Sequence, residues 1–192
     1  LSLEEWKDFL ISLKKLNLSD IRIHFAGGEP LLKNGVLDIV KFANELNFTT
    51  VMVSNGFLID SKIADLIAQS GIDVISLSLD SLNFKKHDFL RGQSGAYDHL
   101  MQAISYLDEA GVKSLSILTV IMGYNIDGLI DLAEYVNNDN RLSSVYFQAV
   151  AQPIATPKDE YWWQNQDYSF LWPQDLIKTQ KVSNLHKDYI II

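Results

Sequence analysis

Ile21-Arg22-Ile23-His24-Phe25-Ala26-Gly27-Gly28-Glu29-Pro30 is the stretch whose reading decides the fold. An apolar, strand-like run from Ile21 to Phe25 stops at two glycines, a carboxylate and a proline, and a helical pattern follows from about Gly35 to Leu46. Glycine has no Cβ, so the peptide units at Gly27 and Gly28 can approach a ligand closely or take positive φ. Pro30 fixes its own φ and turns Glu29 away from the helical region. The corner so formed presents peptide carbonyls and an acceptor-only carboxylate, which together suit an ammonium group.

Outward from this corner the chain alternates. Leu3, Trp6, Phe9, Leu10, Leu13 and Leu16 fall at helical spacing, with Ser2 as N-cap and Glu5 three residues later. Thr50 to Ser54 reads as a strand ended by the turn residues Asn55-Gly56, and a helix capped by Asp60 or Ser61 runs to Gly71. Asp73 to Leu79 is a strand with Ile75, Leu77 and Leu79 on one face and Ser76, Ser78 and Asp80 on the other. Ser81 to Ser94 is less regular. A helix from about Ala96 to Ala110, a strand Leu115 to Met122, a helix about Asp127 to Val136 and a strand Ser144 to Val150 complete the alternation.

Strands separated by helices of this length imply βαβ units and a parallel sheet. Right-handed crossovers then leave an open doubly wound sheet or a barrel. The Ser76, Ser78, Asp80 face favours a barrel with a polar lumen, because inner strands of an open sheet are apolar on both sides. The expected fold is therefore α/β, a partial TIM-like (β/α)6 barrel whose first strand is missing, since the pattern opens on a helix. Residues 1–150 form that core. Residues 151–192, with Tyr161-Trp162-Trp163 and Trp172-Pro173, read as a linker or bridge carrying a short helix near Gln174 to Val182.

Composition narrows the function classes. Sixteen basic against twenty-four acidic residues leave −8, which argues against nucleic acid or an anionic membrane surface as partner. No apolar run approaches the roughly 20 residues of a spanning helix, so the expected setting is cytoplasmic. There are no cysteines, hence neither disulfides nor thiolate metal sites.

Ligands of parallel α/β folds bind at the C-terminal ends of strands. Those ends here are Gly27-Gly28-Glu29-Pro30, Ser54-Asn55-Gly56, Ser78 with Asp80, Met122-Gly123, and Gln148 to Gln152. The set is small and neutral-polar, with no Schiff-base lysine and no His or Cys nucleophile arrangement. Gly27-Gly28-Glu29-Pro30 resembles the GGEP motif of the radical S-adenosylmethionine (radical SAM) superfamily. Ser54-Asn55-Gly56 is similar to that family's T/S-N-G after its third strand, and Ser76-Leu77-Ser78-Leu79-Asp80 to the S-L-D of its fourth. His87-Asp88 with Arg91-Gly92 resembles the segment that follows in maturase-like members.

The resemblance implies that Gly27, Gly28, Glu29 and Pro30 meet the amino group of SAM and that Ser54 and Asn55 belong to the same site. It places Ser78 and Asp80 near the ribose and carboxylate, lets Arg91 pair with that carboxylate, and sets Gln148 and Val150 along the adenine. It implies an enzyme that reductively cleaves SAM at a [4Fe–4S] cluster to a 5′-deoxyadenosyl radical and abstracts hydrogen from a peptide or small molecule. The cluster's C-x3-C-x2-C is absent, so the chain reads as a fragment starting downstream of that loop, with no catalytic residue of its own. The tail from Ala151 resembles the bridge to an auxiliary cluster domain.

Other readings stay open beside this one. The strand ends also suit a SAM- or nucleotide-binding barrel that never held a cluster, or a barrel lyase or isomerase using Glu29 and Asp80 as acid and base. Asp80 and Ser81 serve equally as a cap, and His87, Asp88 and Arg91 as a solvated surface. His24 is expected to be a hydrogen-bonded interior residue. An unpaired apolar strand at the sheet edge predicts self-association.

Overall fold

The computed structural model describes residues 1–149. Among them, helices and strands alternate as α1 (Leu3–Lys14), β1 (Arg22–Phe25), α2 (Val36–Glu45), β2 (Thr49–Ser54), α3 (Ser61–Gln69), β3 (Val74–Ser78), α4 (Phe84–Arg91), α5 (Ala96–Glu109), β4 (Leu115–Ile121), α6 (Leu129–Asn138) and β5 (Ser144–Ala149). Short 3-10 helices at Pro30–Leu32 and Ile126–Gly128 precede α2 and α6. The strands follow one another in sequence order in a single sheet. β1 and β2 are parallel, as are β2 and β3, with Phe25 opposite Met52 and Ser54 opposite Leu77. The Ile75 amide donates to Ser114 O and the Leu79 amide to Leu118 O, a constant offset that makes β3 and β4 parallel too.

The described residues divide into two compact units: Leu1–Ser78 with Ala96–Ser116, and Leu79–Gly95 with the described residues from Ile117 onward. The first unit opens on α1. The Ser2 hydroxyl accepts from the Glu5 amide at 3.2 Å while the Ser2 amide donates to Glu5 Oε2 at 2.7 Å, the reciprocal cap expected from the sequence. A helix of this length is marginal alone. Leu10, 1% exposed, buries against Ile39, Ala43 and Phe48, with Trp6, Ile23 and Phe25 around them. Each such fully buried side chain contributes about 1.5–3 kcal/mol, which decides that α1 holds.

At the N-terminal ends of β2 and β3 a polar staple closes this unit. Asp73 Oδ2 accepts from the amide and the hydroxyl of the buried Thr50 at 2.9 and 3.1 Å, and Lys113 reaches Asp73 Oδ1 at 2.9 Å. Asn44 joins by donating to Gly71 O and Thr50 Oγ1. On the polar face of β3, the Ser76 and Ser116 hydroxyls lie 2.6 Å apart, both buried. Ser76 is thus satisfied from β4.

In the second unit α6 packs on β5, burying Leu129, Leu132, Ala133 and Val136 together with Val145 and Phe147. The stretch read as irregular contains α4. Asn83 caps it, accepting at Oδ1 from the Lys85 and Lys86 amides, and Gly92 ends it with φ +63°. Its only buried residue is His87, so it has no apolar stripe from which periodicity would betray it. His24 is a correction: it lies exposed on β1, because Ile23 and Phe25 take the face turned to the α1 and α2 core. No helix of the described residues is long and apolar enough to cross a membrane. Val150 and the expected bridge of residues 151–192 lie outside the described residues.

Candidate functional site

The corner after β1 is built from its glycines. Gly27 sits at φ +144°, a conformation closed to side chains, and a Cβ on Gly27 or Gly28 would meet no heavy atom within 4 Å. No neighbouring atom therefore demands the lack of a side chain at Gly28. The two peptide units border open space that a ligand can fill. Pro30, buried, starts the 3-10 turn, and Glu29 caps it by accepting from the Leu31 amide at 3.2 Å.

The structure joins Glu29 to the end of β2. Ser54, 1% exposed, donates its hydroxyl to Glu29 Oε1 at 3.0 Å, and the Asn55 amide donates to Oε2 at 2.8 Å. Three of the roughly four acceptor positions of the carboxylate are therefore used inside the protein. Expected as an open receptor, Glu29 is instead mainly a clasp. It holds two strand ends in register and leaves the peptide carbonyls of the corner as the principal acceptors. Gly56, the last residue of the Ser54-Asn55-Gly56 turn, has its own reason: a Cβ there would stand 3.3 Å from Leu100 Cα of α5. Asn55 is exposed, and its Oδ1 accepts from the Phe57 amide at 2.9 Å.

A cavity of about 260 Å³ adjoins the corner, lined by Trp6, Phe9, Ile23, Phe25, Gly28 and Glu29 among others. It is apolar for most of its wall, on the side of β1 that faces α1.

The second unit holds Asp80 and Arg91. Asp80 is 3% exposed and is not the open lumen carboxylate the alternation suggested. Its Oδ2 accepts from Arg91 Nη2 at 2.8 Å, its Oδ1 from the Val120 amide at 3.2 Å, and its carbonyl from Asn125 Nδ2 at 2.8 Å. Its amide donates to His87 Nδ1 at 3.2 Å. Burial pushes the Asp80 pKa up, and the Arg91 charge and the Val120 N–H pull it back only in part. His87, 1% exposed, is pushed down to about 4 by burial and by Arg91, against a smaller opposing pull from Asp88. The imidazole is therefore neutral at physiological pH.

Arg91 is a quarter exposed, and its Nε is buried with no hydrogen-bond partner. An orphaned donor costs about 1–3 kcal/mol, which an arriving acceptor recovers. This makes the guanidinium a fit receptor for a carboxylate. Ser78, 8% exposed, ends β3 in the first unit, and Gln148 lies exposed near the end of β5. Sequence reasoning missed Asn125 entirely. Among polar residues an asparagine in a Gly-Tyr-Asn turn looks like ordinary turn chemistry, yet here it is 1% exposed and ties Met122, Val120 and Asp80 together.

The chemistry of the donors separates two cofactors. The open glycine corner of the first unit fits an ammonium group, and the orphaned Arg91 Nε of the second fits a carboxylate. An iron–sulfur cluster does not fit: the chain has no cysteine, and the described residues contain no group of three His, Asp or Glu placed to hold a metal. Glu29 and Asp80, each committed to several donors, make a poor acid–base pair.

Comparison with known proteins bears on the same residues. The family model described as Radical SAM superfamily matches residues 1–136. An "AdoMet-dependent heme synthase" of Nitratidesulfovibrio vulgaris is 32% identical over 110 residues, covering 57% of this chain and 30% of that protein. The "Mycofactocin maturase MftC" of Mycolicibacterium smegmatis is 28% identical over 133 residues, 69% of this chain and 33% of that one. The chain thus spans about a third of the length of these relatives. Among solved structures, Streptococcus suis SuiB bound to S-adenosylmethionine superposes with a TM-score of 0.73 at 18% identity, covering 98% of this chain and 42% of that one. Native anSMEcpe with bound AdoMet and the Kp18Cys peptide gives 0.72 at 18% identity, covering all of this chain and 55% of that one. These likenesses bear out the expected α/β fold of partial (β/α) barrel type.

Proposed function

The chain belongs to the radical SAM superfamily, and from that premise we propose that it is the SAM-binding part of a radical SAM enzyme. The observation that carries this reading is the Gly27-Gly28 corner, whose peptide units border unfilled space while Glu29 clasps them to Ser54 and Asn55. The carbonyls of Gly27, Gly28 and Glu29, with Pro30 fixing the turn, receive the ammonium of SAM. Arg91, oriented by Asp80, receives its carboxylate. Ser78, Gln148 and Val150 are proposed as further contacts to the cofactor. A [4Fe–4S] cluster held elsewhere in an intact enzyme would supply the electron by which bound SAM yields a hydrogen-abstracting radical.

The chain has no cysteine to ligate the cluster, and the chain by itself is proposed to be inactive. Residues 1–150 serve as the barrel core and residues 151–192 as a bridge. A peptide or small-molecule substrate is proposed, supported by relatives such as a "PqqA peptide cyclase" and by SuiB solved with its precursor peptide. The proposed setting is cytoplasmic, and the free edge of β1 is proposed to mediate self-association, which sedimentation at rising concentration checks.

Calorimetry with SAM tests the central reading on the 192-residue chain and on Gly28→Ala. The added Cβ meets no protein atom, so the variant keeps its stability while SAM binding weakens by about tenfold or more. Equal affinity in both proteins would sink the assignment of the corner. A polypeptide with a C-x3-C-x2-C segment joined ahead of Leu1 should take up iron and sulfide anaerobically, and one that binds SAM tightly without iron would favour a cluster-free barrel.

A further inference from the structure

We infer that His87 and Asn125 are positioning residues for Arg91, acting through Asp80; the inference rests on the reading of Arg91 as the group that receives the SAM carboxylate. The amide, the carbonyl and both carboxylate oxygens of Asp80 each have a partner within its own unit, two on α4 and two on β4 and the turn after it. Its amide goes to His87 on α4, its carbonyl to Asn125 in the turn after β4, its Oδ1 to the Val120 amide and its Oδ2 to Arg91. His87 and Arg91 are four residues apart on α4, so they share one face of that helix. One grips the backbone of Asp80 and the other its carboxylate.

The orientation of each helper is dictated by chemistry. Asn125 Nδ2 donates to the carbonyls of Asp80 and Val120 at 2.8 and 2.9 Å, and its Oδ1 accepts from the Met122 amide at 2.8 Å. Turning the amide over would set Oδ1 against two carbonyl oxygens. At His87, Nδ1 accepts the Asp80 N–H, so the ring proton sits on Nε2; a proton on Nδ1 would oppose N–H to N–H. Asp80 is thereby fixed in backbone and side chain before any ligand arrives.

That fixation matters because Arg is a long, rotamer-rich side chain whose ordering opposes binding. Asp80 occupies only Nη2, leaving Nε buried and unpartnered. A guanidinium already held at one nitrogen presents the remaining donors at a defined place, and carboxylates are recognised by that planar fork. Releasing Asp80 would return Arg91 to many rotamers without removing its charge.

The test compares SAM with decarboxylated SAM, which lacks only the carboxylate, by calorimetry on the full chain. His87→Ala and Asn125→Ala should each weaken SAM by about tenfold and decarboxylated SAM by less than about twofold. His87→Asn, which keeps an acceptor near the Nδ1 position, should recover most of the loss. If both ligands weaken equally, the two residues merely support the fold and the inference fails. Arg91→Lys separates this from failure of the underlying reading: if it leaves the preference for SAM unchanged, Arg91 does not meet the carboxylate. A wild-type chain that binds neither ligand overturns both readings.

Should Asn125→Ala not fold, nitrogen-15 NMR of the wild-type chain decides. The expected signature is an unprotonated His87 Nδ1 and an Arg91 Nε–H signal that moves on adding SAM but not decarboxylated SAM. An Nδ1–H tautomer would refute the arrangement.

Discussion

Replacing His87 should change how the stability of this protein depends on pH, by an amount the structure sets. The folded His87 titrates at about 4 against 6.5 for an unperturbed histidine, because burial and Arg91 disfavour its charged form. Its folded pKa is depressed, so between pH 6.5 and 4 the unfolded chain binds one more proton than the folded one. The stability that the neutral ring confers is complete above pH 6.5 and drains away as pH falls toward 4. Each unit of pH in that window is worth about 1.4 kcal/mol, so the loss between pH 7 and 5 is about 2 kcal/mol.

His87→Asn has nothing to titrate there. Urea denaturation of both proteins at pH 7, 6 and 5 should therefore show their stability difference narrowing by about 2 kcal/mol over the range. Other depressed groups do not confuse the comparison. Asp139 titrates at about 2 under the influence of Arg141, and Asp73 lies below its ordinary value because Thr50 and Lys113 outweigh its burial. Both act at lower pH and equally in the two proteins. A stability gap that stays constant from pH 7 to 5 would refute the reasoning and with it the neutral state of the His87 ring.

Further substitutions probe the other contacts. Glu29→Gln removes the charge that receives the Ser54 hydroxyl and the Asn55 and Leu31 amides, and should cost about 1–3 kcal/mol in thermal or urea unfolding. Asp80→Asn breaks a buried pair while leaving Arg91 charged, and should cost about 3 kcal/mol by the same measurement. Gly27→Ala forces a side chain into φ +144° and should destabilise by about 1–3 kcal/mol, whereas Gly28→Ala should not, a contrast that differential scanning calorimetry resolves.

The alternation of strands and helices was legible because most elements carry an apolar face of the right period. The caps at Ser2 and Asp60 and the left-handed glycines at 71 and 111 were legible from residue type alone. α4 was not, since a helix whose one buried residue is a histidine writes no hydrophobic pattern. Within the site, the identities of Glu29, Ser54, Asp80 and Arg91 were readable but not their assignments. A sequence shows that a carboxylate is present at a strand end, not how many amides converge on it. Glu29 and Asp80 were expected to await a ligand, and both proved occupied by neighbouring backbone amides and side chains of the protein itself. His24 failed for the opposite reason: its neighbours Ile23 and Phe25 are apolar, but a strand sends alternate residues to opposite faces.

The two hydroxyls of Ser76 and Ser116, 2.6 Å apart and sealed from water, bear on how this sequence can drift. Changing Ser116 to alanine strands Ser76 in an apolar setting, and changing Ser76 leaves Ser116 only a long contact to the Ile75 carbonyl at 3.5 Å, while changing both removes the need for a partner and can be nearly neutral. The fitness landscape at this pair therefore has two acceptable summits, serine with serine and alanine with alanine, with a valley between them. Across descendants of this protein, positions 76 and 116 should change together or not at all.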